Sequence, residues 1–105
     1  MKIVFSAALC TLAGAQMMMS SEDETPATLG LVCIQAVLTH LPDDPKTPGL
    51  SAKLFGLAIR LNGADEVEID AADVDLLKRR LESIFPPLIV GQAWNLLEGR
   101  APFSA

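Results

Sequence analysis

The chain has 105 residues, half of them hydrophobic, with 13 acidic against 8 basic side chains and a formal net charge of −5. The acidic balance weighs against nucleic acid and anionic membrane as principal partners, because both repel it. A single domain over residues 1–105 is expected, since this length can bury a core without disulfides or metal, and so large an apolar share implies a big core or apolar surface covered by a partner.

Residues 1–15 imitate a secretory leader. Lys2 is a positive start, Ile3 to Ala13 is an apolar run, and Ala13-Gly14-Ala15 fits a small-x-small cleavage site. The run is too short to span a membrane. Ile3 and Phe5 also alternate with Lys2, Val4 and Ser6, as a strand does. The expectation is therefore a strand over Lys2–Ala7 that belongs to the fold of a cytoplasmic protein; a real leader would make it secreted. Thr11–Gln16 is small and flexible, and Gly14 can take the positive φ of a hairpin turn. Met17, Met18 and Met19 form the return strand of this N-terminal β-hairpin. A Met run is adaptable packing or a soft binding surface. Ser20–Glu24 is an acidic loop, with Glu22, Asp23 and Glu24 as candidate partner contacts.

Thr25-Pro26 has the form of a helix cap and first helical residue, which predicts a helix over 26–41. Leu29, Val32, Cys33, Ala36 and Val37 line one face; Leu31, Ile34, Leu38 and Leu41 line much of the other. A helix apolar nearly all round is central, or lays its second face on another chain, so a homo-oligomer through helix 26–41 is one expectation. Pro42–Gly49 is a stiff loop. Thr47 or Ser51 caps the next helix, Leu50–Leu61, with Leu50, Leu54, Leu57 and Leu61 as its stripe, and Asn62-Gly63 ends it.

In residues 66–98 all local signals agree. Glu66–Ile69 is a short extended lead-in, which predicts a third short strand near 66–69. Asp70 caps a helix by accepting the Asp73 backbone N–H, and Asp73 adds charge that the helix dipole favours. Ile69 and Val74 have the spacing of a hydrophobic staple. Val74, Leu77, Leu81 and Ile84 form the apolar stripe, while Asp75, Lys78, Arg79 and Glu82 fall on the wet side. Pro86 and Pro87 stop this helix, and Pro87 opens another. That helix runs to about Glu98, with Gly99 as a left-handed C-cap. Gly91 costs it roughly 1 kcal/mol against Ala, which suggests close approach of a neighbouring backbone. Trp94 is expected to pack in the core against Val74, Leu77 and Leu81. The whole reads as mainly α (α+β): a small four-helix domain with a short N-terminal hairpin.

Catalysis needs a base beside a nucleophile, paired carboxylates in a cleft, or a metal. The one histidine, His40, stands at a helix end and reads as a capping or half-buried side chain. The acidic run from Glu66 to Asp75 fails the calcium-loop pattern, since position six is Ala71 instead of Gly and position twelve is Leu77 instead of Glu. Cys10 and Cys33 are expected to be free thiols. Lys78-Arg79-Arg80 reads as a solvated basic turn; the helix pair around it raises DNA contact, but Leu88-Ile89-Val90 carries no base-reading side chain. No enzyme activity, catalytic residue, cofactor or metal is expected. The candidate partner-binding residues are Met17, Met18, Met19, Glu22, Asp23, Glu24, Asp73, Asp75, Lys78 and Arg79.

Several segments together resemble a group of small proteins encoded by tailed bacteriophages and prophages. They are the turn Leu12-Ala13-Gly14, the helix start Thr28-Leu29-Gly30, Leu57-Ala58-Ile59, the strand Val67-Glu68-Ile69 leading to Lys78, and the ending Pro87-Leu88-Ile89-Val90-Gly91-Gln92-Ala93. Only the last is at all specific. The hairpin departs from the pattern, since Ala13, Ala15 and the Met run are apolar here. The resemblance implies a cytoplasmic phage protein and carries no site residues. Small size, acidity and the lack of visible chemistry suit a protein-binding inhibitor of a host complex, such as an anti-CRISPR or other counter-defence protein. The alternatives are a virion structural or assembly accessory protein, of tail or capsid, and a small DNA-binding regulator.

Overall fold

The structure is a computed structural model and describes residues 2–20, 25–42 and 48–104. Its elements are β1 (Lys2–Val4), β2 (Met18–Ser20), β3 (Thr25–Pro26), α1 (Leu29–Leu38), α2 (Leu50–Leu61), β4 (Glu66–Glu68), α3 (Ala71–Ile84) and α4 (Pro87–Leu97). The fold is the mainly helical α+β class expected, with four helices and two small antiparallel pairings among the described residues.

The pairing of the first strand differs from expectation. Lys2, Ile3 and Val4 lie opposite Glu68, Val67 and Glu66, so β1 pairs with β4 and not with the Met run. The turn at Gly14 explains why. Gly14 has φ 89°, Thr11 N donates to Ala15 O at 2.7 Å, and Met17 N donates to Leu9 O at 3.0 Å. This register sets Met17 against Leu9, and Lys2–Val4 is already too far along the chain to meet the Met run. A hairpin therefore exists, but it joins residues 9–10 to 16–17. β2 continues from it to pair with β3.

That pairing also moves the start of α1. Ala27 N donates to Met17 O and Leu9 N to Ala27 O, at 2.7 and 2.9 Å, so residues 25–27 are held extended. The helix begins at Leu29, three residues later than expected, with Thr28 as cap accepting the Leu31 N–H at 3.2 Å. It ends at Leu38, short of the expected Leu41. Thr39 folds back, its hydroxyl donating to Gln35 O at 2.7 Å, and Pro42 restricts the residue before it. α2 has the expected bounds, but Gly49, with φ 89°, stands at its cap and offers no side-chain acceptor. Ser51 lies inside the helix, and Thr47 lies outside the described residues.

α3 and α4 follow their local signals. Asp70 accepts from Asp73 N at 2.8 Å, and Ile69, Val74, Leu77 and Leu81 are buried. Pro87 opens α4. Its end closes as a Schellman motif around Gly99 at φ 78°, with Arg100 N donating to Asn95 O at 2.8 Å and Gly99 N to Leu96 O at 3.1 Å.

α1 is the central helix: it packs against both α2 and α3, α3 packs against α4, and α4 meets β1. The expected face Leu29, Val32, Cys33, Ala36 and Val37 is buried. On the second face Leu31 and Ile34 are half-buried and Leu38 is exposed. Ile3, Phe5 and Leu9, within the leader-like segment, belong to the same core.

Two glycines separate cleanly. A Cβ on Gly91 would meet nothing within 4 Å, so close approach inside this chain does not explain that residue, contrary to expectation. A Cβ on Gly30 would lie 3.1 Å from Phe5 O, which accepts the Gly30 N–H at 2.8 Å. Gly30→Ala should lower stability by about 1–3 kcal/mol, as overpacking does. Gly56→Ala, in open space on α2, should raise it by about 0.5–1 kcal/mol. Urea denaturation of both variants measures the two signs.

Candidate functional site

Two of the charged candidates, Asp73 and Lys78, are engaged with groups beyond their own helix. Asp73 is buried. Its carboxylate lies 3.6 Å from Lys53 and 3.7 Å from Arg60, both on α2. Arg60 also donates to Glu68 O at 2.7 Å. Asp73 thus ties α2 to the first turn of α3 and presents little to an outside partner. Asp75 is exposed and pairs with Arg79 one turn on, at 3.6 Å. Glu22, Asp23 and Glu24 lie outside the described residues.

The basic cluster divides three ways, which corrects its reading as a solvated turn. Arg80 is buried. Its Nε donates to Ala36 O at 2.9 Å and its Nη2 to Thr39 O. The guanidinium therefore serves the free carbonyls at the end of α1, where no basic residue of α1 itself stands, and a cation suits that end of the dipole. His40, the residue expected in this role, is exposed. Lys78 donates to Glu98 at 2.7 Å and sits 5.1 Å above the Trp94 ring, close enough for a cation–π contact. Arg79 alone of the three is exposed.

Trp94 is half-buried and lies outside the core cluster, which corrects its placement against Val74, Leu77 and Leu81. Its indole N–H donates to Lys78 O at 3.3 Å. The ring is a lid on α3 beneath Lys78. Ala93 and Leu97 take the core positions of α4 instead.

The Met run splits with strand period. Met17 and Met19 are half-buried against the core, and Met18 is exposed. Both cysteines are free. Cys33 is buried, and burial pushes its thiol up to about 12 from an ordinary 9.0, so it stays neutral and unreactive. Gln92, which the sequence reading passed over, is also buried. Its amide accepts from Cys10 N and donates to Cys10 O, both at 2.8 Å, and donates to Leu88 O at 2.9 Å. This fastens the hairpin to α4. A polar residue in a largely apolar helix is its trace in the sequence.

Several large apolar side chains stand exposed among the described residues. On α2, Phe55 and Ile59 are each 60% exposed. They lie one turn apart, off the buried stripe Leu54, Leu57 and Leu61, with exposed Ala52 on the same flank. Lys53 and Arg60 occupy the opposite flank, turned to Asp73. The signal was legible, since two large apolar residues fall outside the stripe. The second feature is an open cleft of about 400 Å³ between the hairpin tip, α4 and the C-terminal tail. Leu12, Leu88, Gly91 and Phe103 are among its walls. Among the described residues no three His, Cys, Asp or Glu side chains are grouped to hold a metal ion, and no helix is long and apolar enough to cross a membrane.

The fold and its surfaces thus define a small, mainly helical α+β protein with two apolar surface features. No protein-family model, curated protein or solved structure matches the chain.

Replacing Arg80 by Met should cost about 2–3 kcal/mol, since carbonyls in the core lose a charged donor. Arg80→Lys should recover less than half of that, because a single ammonium cannot reproduce the guanidinium fork; chemical denaturation of the pair measures it. Glu98 titrates below its ordinary value, first because Lys78 bonds its carboxylate and then through the charges of Lys78 and Arg100. The stabilisation is therefore present above the ordinary carboxylate range and lost as pH falls through the lowered value. Thermal melts of wild type and Lys78→Met should differ at neutral pH and converge in acid.

Proposed function

We propose that this chain is a non-catalytic protein-binding protein that meets its partner through the outer face of α2. The carrying observation is the exposure of Phe55 and Ile59 on one flank of a helix whose cations are all drawn to the other. Large apolar side chains contiguous on a surface mark contact sites, and aromatic residues are frequent anchors there. The polar groups support a binding role over a chemical one. Asp73, Arg80, Lys78 and Glu98 are each engaged within the chain.

The finer reading is an inhibitor of a host complex, of the anti-CRISPR or counter-defence kind, acting in the cytoplasm. It rests on the phage-protein resemblance of Pro87–Ala93 and on the net charge of −5, which suits a surface that competes for basic grooves. The second reading is a virion accessory protein, in which neighbouring chains cover Phe55 and Ile59. A DNA-binding regulator draws no support from a basic cluster with Arg80 buried and Lys78 paired to Glu98.

Affinity capture from phage-infected host lysate, followed by mass spectrometry, tests this. Wild type should retain a defined protein partner. Phe55→Glu with Ile59→Glu should lose it while melting normally, because both side chains are already in water. A host effector complex favours the inhibitor, and capsid or tail chains favour the virion component. A partner retained by the double variant, or recovery only through DNA, overturns the proposal.

A further inference from the structure

The outer surface of α2 has a charge as well as an apolar strip. Among the described helices only α2 carries cations and no carboxylate, in a chain whose net charge is −5. Residues four apart on a helix stand one above the other, and this sorts the surface into rows. Phe55 and Ile59 form a raised apolar row. Ala52 and Gly56 form a low row beside it, with nothing within 4 Å of the place a Gly56 Cβ would occupy. Lys53 and Arg60 stand along the far side of the low row, 56% and 48% of their side chains exposed.

Both cations lean on one carboxylate, Asp73, at 3.6 and 3.7 Å. Two positive charges and one negative leave this trio net positive. Asp73 is buried while the cations reach water, so a molecule that lies on α2 meets the positive side of the group.

We propose, resting on α2 as the partner face, that the face receives an acidic amphipathic helix of another protein. Its apolar side lies on Phe55 and Ile59, its backbone passes over Ala52 and Gly56, and its carboxylates follow Lys53 and Arg60. Helices pack by setting the ridge of one into the groove of another, and the low row lets a second axis come close. An apolar strip with cations along one edge selects the charge and the orientation of what docks there. A basic helix would set like charges side by side. An anionic lipid surface has the right sign, but an extended anionic plane repels a chain of net charge −5. A single helix meets only its neighbours, since charges beyond about 8 Å are largely screened at physiological ionic strength.

Two stapled synthetic helices test this by fluorescence anisotropy. Both carry leucines along one side; one is edged with glutamates and the other with lysines. Wild type should bind the glutamate helix at least about tenfold more tightly than the lysine helix. Lys53→Gln should weaken the glutamate helix about threefold and strengthen the lysine helix, as loss of one exposed charge does; Arg60 stays on Asp73 in that variant. Gly56→Leu fills the low row from within the chain. It should weaken the glutamate helix at least about tenfold without lowering the melting temperature, because that position faces open space. Equal binding of the two helices, binding of neither, or a glutamate helix indifferent to Gly56→Leu overturns the acidic helix. Binding to phosphatidylserine vesicles in preference to both helices overturns it too. A lysate protein that the Phe55→Glu, Ile59→Glu variant loses, beside a wild type that binds neither helix, leaves the partner face standing and rejects only its acidic occupant.

Discussion

The backbone of residues 2–10 is the constraint on which the rest of the fold depends. Few stretches of so small a protein bond to so many distant parts. Its first residues pair with β4; Phe5, Ala7 and Leu9 bond to the segment that opens α1; Leu9 and Cys10 pair with the return of the hairpin; and the Cys10 peptide is gripped by Gln92 of α4. Buried peptide groups must find partners, so the position of each of these elements is set against one short strip. Gly30 shows how tight the fit is, since a Cβ there would lie 3.1 Å from the Phe5 carbonyl oxygen.

Around that strip the charged residues act as internal ties. Arg80 reaches from α3 to the end of α1, and Asp73 reaches from α3 to α2. Burying an arginine is costly unless its donors are satisfied, and the free carbonyls at a helix end are the acceptors best placed to do so. An acidic protein with few cations has buried one of them, Arg80, and turned Lys53, Arg60 and Lys78 towards its own carboxylates. Phe55 and Ile59 stand exposed on the flank of α2 that these cations leave clear.

Much of the second half was legible in advance. The bounds of α2, α3 and α4 follow from a proline, a capping aspartate, a glycine and an apolar stripe. Of the candidate partner-binding residues less was legible: Asp73 and Lys78 are engaged within the chain, and two of the three methionines pack towards the core. Trp94, expected as a core anchor, is a lid. Whether a polar side chain faces water or another helix depends on what packs over it, and periodicity along one helix does not contain that.

The sequence alone determined those elements whose causes lie within a turn or two of chain: the Asp70 cap, the Pro86-Pro87 corner, the left-handed glycines at 14 and 99. Hydrogen bonding and steric exclusion at that range need no knowledge of the rest. Tertiary structure decided the partner of β1, the late start of α1 at Thr28 and the role of Arg80. These rest on contacts between residues far apart in the chain, 44 positions for Arg80 and Ala36 and 64 for Ile3 and Val67. At such separations several pairings satisfy the same local pattern, and only the packing of the whole core selects among them.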